Sequence, residues 1–207
     1  MNNFIKKFYL ILSLLVPSML SASDIERKFQ EAGLIDINAI DDSIKVDLVN
    51  SDPDKNFFKE DFYSGLKKAY LRKDTALLLS KAQNQLKKEN STYSLQVLDA
   101  ARPRSVSRAM YEKMIGTPFE KYVANPDRGS MHNYGIAVDI TIVDENGKRL
   151  DMGPSPFYSS HTKIYWNYIL KKIGIELSSK QQHNRDLLKE VMTKAGFYPL
   201  SHEWLSL

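Results

Sequence analysis

Residues 135–152 read GIAVDITIVDENGKRLDM, and this stretch limits the fold more than any other. Two β-rich runs flank DENGK, and Asn146–Gly147 is a strong tight-turn signal, because both residues tolerate positive φ. The stretch predicts a β-hairpin. Around it, DIERKFQEAG (24–33) predicts a short helix closed by Gly33. SIKVDLV (43–49) alternates as a strand does, and SDPDKNFFKEDFY (51–63) predicts a turn-rich loop with aromatics packed on the body. From Leu66 to about Lys88 the pattern is helical, with Leu79, Ala82 and Leu86 on one apolar face.

YSLQVLDA (93–100) predicts a second strand, and Ser105 a cap for a helix that stops at Gly116. NRDLLKEVMTKAG (184–196) predicts a helix capped by Asn184 and closed by Gly196, followed by an extended FYPLSHEWLSL. Helices beside antiparallel strands, without βαβ alternation, predict an α+β single domain: an antiparallel sheet with helices packed around it. The 207 residues suffice for one real core, and no repeat, low-complexity tract or linker divides them.

The first 23 residues predict a secretory signal peptide, leaving 24–207 as the mature domain. Lys6 and Lys7 precede the uncharged apolar run FYLILSLLV (8–16), and the small residues Ser21, Ala22 and Ser23 offer an exit for cleavage. The run is shorter than the roughly 20 residues of a membrane span, so no stable membrane insertion is expected after cleavage. The chain has no cysteine, which excludes disulfides and a lipid-anchored leader. An exported, Lys-rich, disulfide-free chain points to a bacterial envelope protein, with the periplasm as the expected location. Formal net charge is +4; from Asp24 onward 27 basic residues face 25 acidic ones. That excess is too small and too dispersed to predict a nucleic-acid partner.

Three places carry residues with chemistry to offer. In GSMHNYGIAVD, His132 stands seven residues before Asp139. Metal ligands lie about 2 Å from zinc, whereas seven extended residues span about 23 Å, so the chain must bend for both to reach one ion. Gly135 permits that bend and Asn133 tolerates turns. The spacing alone is met as simply by a hydrogen-bonded loop histidine. In DAARPRS (99–105), Arg102 follows a strand end and is stiffened by Pro103, suiting it to clamp a carboxylate or steady an oxyanion. A surface salt bridge would use it equally well. In SHEWLSL, Glu203 lies in an aromatic, strand-like setting, where partial burial would raise its pKa toward that of a general base; an exposed terminal carboxylate is the alternative.

Together these elements resemble the zinc D-alanyl-D-alanine dipeptidases, relatives of the vancomycin-resistance dipeptidase and of the wider D,D-carboxypeptidases. The resemblance runs over roughly 44–204. It is carried by NFFKEDFY, KAYLRKDTALLLSKAQNQL, DAARPRSV, YVANPDRGSMHNYGIAVDITIVDENGKRLDMG and NRDLLKEVMTKAGFYPLSHEW. It implies a Zn2+ cofactor held by His132 and Asp139, Glu203 as catalytic base, Arg102 steadying the tetrahedral intermediate, and Ser130 near the amino end of a small D,D-dipeptide substrate. The chain departs from the family pattern twice. The family ends E-W-W-H, with that histidine as third zinc ligand, whereas here Glu203 and Trp204 are followed by Leu205 and Ser206. The family also places an aspartate after the phenylalanine of the downstream loop, to bind the substrate ammonium; here Tyr158 follows Phe157. Three readings stay open: a zinc dipeptidase with a site short of one ligand, a non-catalytic or remnant binding relative with a truncated C-terminus, and a D,D-carboxypeptidase on longer peptidoglycan peptides.

Overall fold

The computed structural model describes residues 21–117, 120, 125–153 and 177–198. In chain order the helices are α1 (Ala22–Glu31), α2 (Lys73–Glu89), α3 (Arg104–Met114) and α4 (Ser179–Ala195). The strands are β1 (Ile35–Asp36), β2 (Lys45–Val46), β3 (Tyr70–Leu71), β4 (Ser94–Asp99) and β5 (Asp139–Val143). The fold is α+β in a single domain, as expected.

Its centre is a three-stranded sheet in the order β2-β4-β5. β4 and β5 run antiparallel, from Ser94 opposite Val143 to Asp99 opposite Asp139, with an irregularity between Val97 and Asp99. β2 runs parallel to β4, so one of the two pairings departs from the antiparallel expectation. Every residue of β5 is buried, as are Leu95, Val97 and Leu98 of β4. α2 covers this sheet with Ala76, Leu79, Ala82 and Leu86, whose spacing of three and four residues makes one helical face. α4 adds Leu188, Val191, Met192 and Ala195 to the same core. Each fully buried leucine here contributes about 1.5–3 kcal/mol of transfer free energy.

Several boundaries differ from the sequence expectation, each for a physical reason. The helix expected from Leu66 starts at Lys73, because Tyr70 and Leu71 pair with Asp36 and Ile35 and Arg72 stays extended. The strand expected over 43–49 shortens to Lys45–Val46, and Val49–Ser51 coils into a 3-10 turn. α3 follows Pro103 directly and has no side-chain cap, so Ser105 lies inside its first turn. α4 begins five residues before Asn184, because Ser178 and Gln181 form a reciprocal capping box. Asn184 is instead buried inside the helix and donates to the Asp151 carbonyl at 2.9 Å. The hairpin turn forms at Asp144–Lys148, but its return arm is held by one bridge, Val143–Arg149, and by Leu150 N–H on the Ile142 carbonyl. Arg149 is drawn aside to Gln96 and Asp47. No helix among the described residues is long and apolar enough to cross a membrane.

Candidate metal centre at the end of the central strand

Both β4 and β5 have a carboxylate at the same end of the sheet, Asp99 and Asp139, and the register sets them opposite each other. Both are buried. Like charges facing across strands repel, and burial removes the water that would screen them. Arg102 supplies the missing positive charge. Its Nε donates to Asp99 Oδ2 at 3.0 Å, Nη2 donates to the same oxygen, and Nη2 lies 3.9 Å from Asp139 Oδ2. Burial works to lower the pKa of Arg102, but the charges of Asp99 and Asp139 overcome it and hold the pKa far above the ordinary range. Arg102 is therefore a fixed cation in the site.

His132 reaches this end of the sheet through a tight 3-10 turn, Met131–Tyr134. Ser130 caps the turn, its hydroxyl accepting from His132 N–H at 3.3 Å. Gly135 closes it with φ +65°, and a Cβ there would lie 2.8 Å from Leu34 Cδ2 and 3.2 Å from the Arg72 nitrogen. This is the bend that brings His132 back to Asp139. The turn is tied to the strand end by Arg102 N–H on the His132 carbonyl at 3.0 Å and by Asn133 Nδ2 on the Arg102 carbonyl at 2.9 Å.

His132 is buried, with Nδ1 2.8 Å from the Ala100 carbonyl and Nε2 3.6 Å from Asp139 Oδ1. A carbonyl only accepts, so Nδ1 carries a hydrogen, and in the neutral ring the Nε2 lone pair faces the aspartate. Metal-binding histidines are oriented in this way. Two ligands about 2.0–2.1 Å from a tetrahedral ion lie about 3.3 Å apart, close to the observed separation. The donor chemistry thus fits a metal at His132 and Asp139. In the metal-free site burial works to lower the His132 pKa, but the Asp139 charge outweighs it and raises the value above 6.5.

Asp99, His132 and Asp139 bring one potential ligand atom each within 4.8 Å of one another, the metal-ligand grouping found among the described residues. Asp99 was not singled out in the sequence. Its position at the end of an apolar strand, three residues before Arg102, was the available signal. Glu203, Ser206 and Tyr158 lie outside the described residues, as do His161 and His202. His183 is exposed on α4.

A profile of the D-ala-D-ala dipeptidase family matches residues 30–206. The chain belongs to this family. The D-ala-D-ala dipeptidase profile takes in both halves of the site, the 99–102 strand end and the 130–139 turn. D-alanyl-D-alanine dipeptidase of Escherichia coli (strain K12) is 32% identical over 114 residues, which is 55% of this chain and 54% of that protein. The match thus spans about half the length of the curated relative. Peptidases of this family are metal-dependent, in keeping with the donors that His132 and Asp139 present.

Proposed function

We propose that this chain is a zinc-dependent peptidase that hydrolyses the dipeptide D-Ala-D-Ala to D-alanine in the bacterial envelope, after export on residues 1–23. The observation that carries the reading is the pair His132 and Asp139, two buried donors 3.6 Å apart with a fixed guanidinium beside them. Family membership and the named relative support the substrate class. Bound at His132 and Asp139, zinc would polarise the scissile carbonyl and lower the pKa of water.

The chain's own groups do the rest. Glu203 takes a proton from the attacking water and delivers it to the leaving amine. Arg102 faces the negative charge that develops on the carbonyl oxygen. Ser130 stands at the amino end of the dipeptide, and Tyr158 occupies the place of the ammonium-binding aspartate, offering a hydrogen bond in place of a charge. Water adds across the amide: the C–N bond breaks, the carbonyl carbon gains a hydroxyl, and the amine gains a proton. Two D-alanines result.

Ser206, where the resemblance calls for a histidine, favours a second reading in which the chain binds D,D-peptides with little or no turnover. A serine hydroxyl is a poor zinc ligand, and catalytic zinc ordinarily has three protein ligands. Zinc content and D-alanine release, measured on one purified sample, decide between them. Zinc at one equivalent with D-alanine release supports the dipeptidase. Zinc-free protein without release sinks it, and release only from longer peptidoglycan peptides would assign a D,D-carboxypeptidase.

A further inference from the structure

Asp99 stands in the metal-ligand grouping with both of its carboxylate oxygens already occupied. Its Oδ1 accepts from the Tyr63 hydroxyl at 2.8 Å and from the Ala100 N–H at 3.0 Å. Its Oδ2 accepts from Asn50 Nδ2 at 2.9 Å, from Arg102 Nε at 3.0 Å and from Arg102 Nη2. A carboxylate has about four lone-pair directions, so these donors leave none for an ion. A metal on Asp99 would have to displace the Arg102 fork and place a second cation against the guanidinium. Asp99 and Tyr63 are fully buried and Asn50 nearly so, which makes the arrangement rigid and an unpaired carboxylate there costly. Asp139, its cross-strand neighbour, faces His132.

We propose that Asp99 is a positioning residue that aims Arg102 at the reacting carbonyl and holds no metal, with Tyr63 and Asn50 fixing its carboxylate. The two cross-strand aspartates thus divide the work: Asp139 faces the ion, Asp99 faces the arginine. The inference rests on the proposed role of Arg102 in D,D-dipeptide hydrolysis, but its geometry is open to measurement without turnover.

The experiment uses the full mature chain and its Asp99→Asn and Tyr63→Phe variants. Three quantities are read: solvent exchange of the Arg102 Nε–H by nitrogen-15 NMR, affinity for Zn2+ alone, and kcat and KM for D-Ala-D-Ala. In Asp99→Asn the Arg102 Nε–H loses its protection, while Zn2+ affinity changes by less than the roughly tenfold that marks loss of a ligand's outer partner. The kcat falls by about 10–100-fold with KM little changed, the pattern of a contact made in the transition state. A role confined to stability would lower Tm and leave that exchange and the kcat-to-KM pattern untouched.

Loss of Zn2+ binding in Asp99→Asn would make Asp99 a ligand and overturn the proposal. So would an Arg102 Nε–H as protected as in the wild type. Should Asp99→Asn not fold, Tyr63→Phe removes a single hydroxyl and carries the test: a shifted Arg102 Nε–H resonance supports the proposal, and an unchanged one overturns it. Wild-type protein that releases no D-alanine would sink the dipeptidase reading, and the exchange and Zn2+ measurements would still judge Asp99.

Discussion

At the scale of single residues, the site is an exercise in charge balance. His132 in the metal-free protein has a raised pKa because the Asp139 charge outweighs burial. Its folded value therefore lies above its unfolded one. The stabilisation is complete below the ordinary histidine value of 6.5 and is lost as pH rises through the folded value. The Tm of metal-free protein should fall over that window, and His132→Gln should flatten the fall; calorimetry of both across pH is the check. Zinc binding runs the other way, since the ion must displace the proton, so Zn2+ affinity should rise with pH through the same window. Arg102 carries a different prediction. Arg102→Lys keeps the charge but loses the planar fork that holds Asp99 from two nitrogens. The kcat for D-Ala-D-Ala should fall by about 10²–10³-fold, the range for losing an oxyanion donor, with zinc content unchanged by elemental analysis.

At the scale of elements, the turn that carries His132 depends on Gly135. Its φ of +65° and the nearby Arg72 nitrogen leave no room for a side chain, and the Arg72 N–H donates to the Gly135 carbonyl at 2.9 Å. Gly135→Ala should cost about 1–2 kcal/mol from the left-handed backbone alone, and the shift it forces should weaken zinc binding. Urea denaturation and zinc titration of the same variant test both halves. This bend was legible beforehand, because His132 and Asp139 cannot approach without one and Gly135 is the residue between them that allows it. The strand at 94–99, the turn at Asn146–Gly147 and the close of α4 at Gly196 were legible for the same reason: each rests on local chemistry. What escaped was set at a distance. Asp99 matters because of its register with Asp139 and because Tyr63, 36 residues earlier, donates to it. The late start of α2 follows from β1 capturing Tyr70 and Leu71, which no helical pattern over 66–88 could reveal. The cap of α4 was misplaced because Asn184 is a sound cap by type, yet its amide is committed to Asp151 in the neighbouring chain segment.

At the scale of the molecule, the sheet end gathers its site residues, the two metal donors His132 and Asp139 and the arginine-holding Asp99, from segments that share no local structure. Asp99 closes β4, His132 rides the 3-10 turn, and Asp139 opens β5. An ion bound there ties the turn to the sheet, so it stabilises the folded chain by mass action, by about 2.7 kcal/mol at a hundredfold excess over its dissociation constant. Chelation should accordingly lower Tm, and the size of the drop reports how tightly the wild type holds zinc. Among the described residues His132 and Asp139 are the two donors that face this position, and two alone would hold zinc weakly. The resemblance to the family's E-W-W-H ending puts the family's third ligand at position 206, a serine in this chain. Ser206→His, combined with Leu205→Trp to restore the aromatic before it, should raise zinc affinity and enlarge the drop in Tm on chelation. If D-alanine release rises in step, the third ligand is what limits the wild-type chain. If affinity rises without release, the limit lies in substrate binding, where Tyr158 stands in place of an aspartate, and Tyr158→Asp in the same background should then lower KM. No gain in affinity at all would mean that residue 206 does not reach the ion bound by His132 and Asp139.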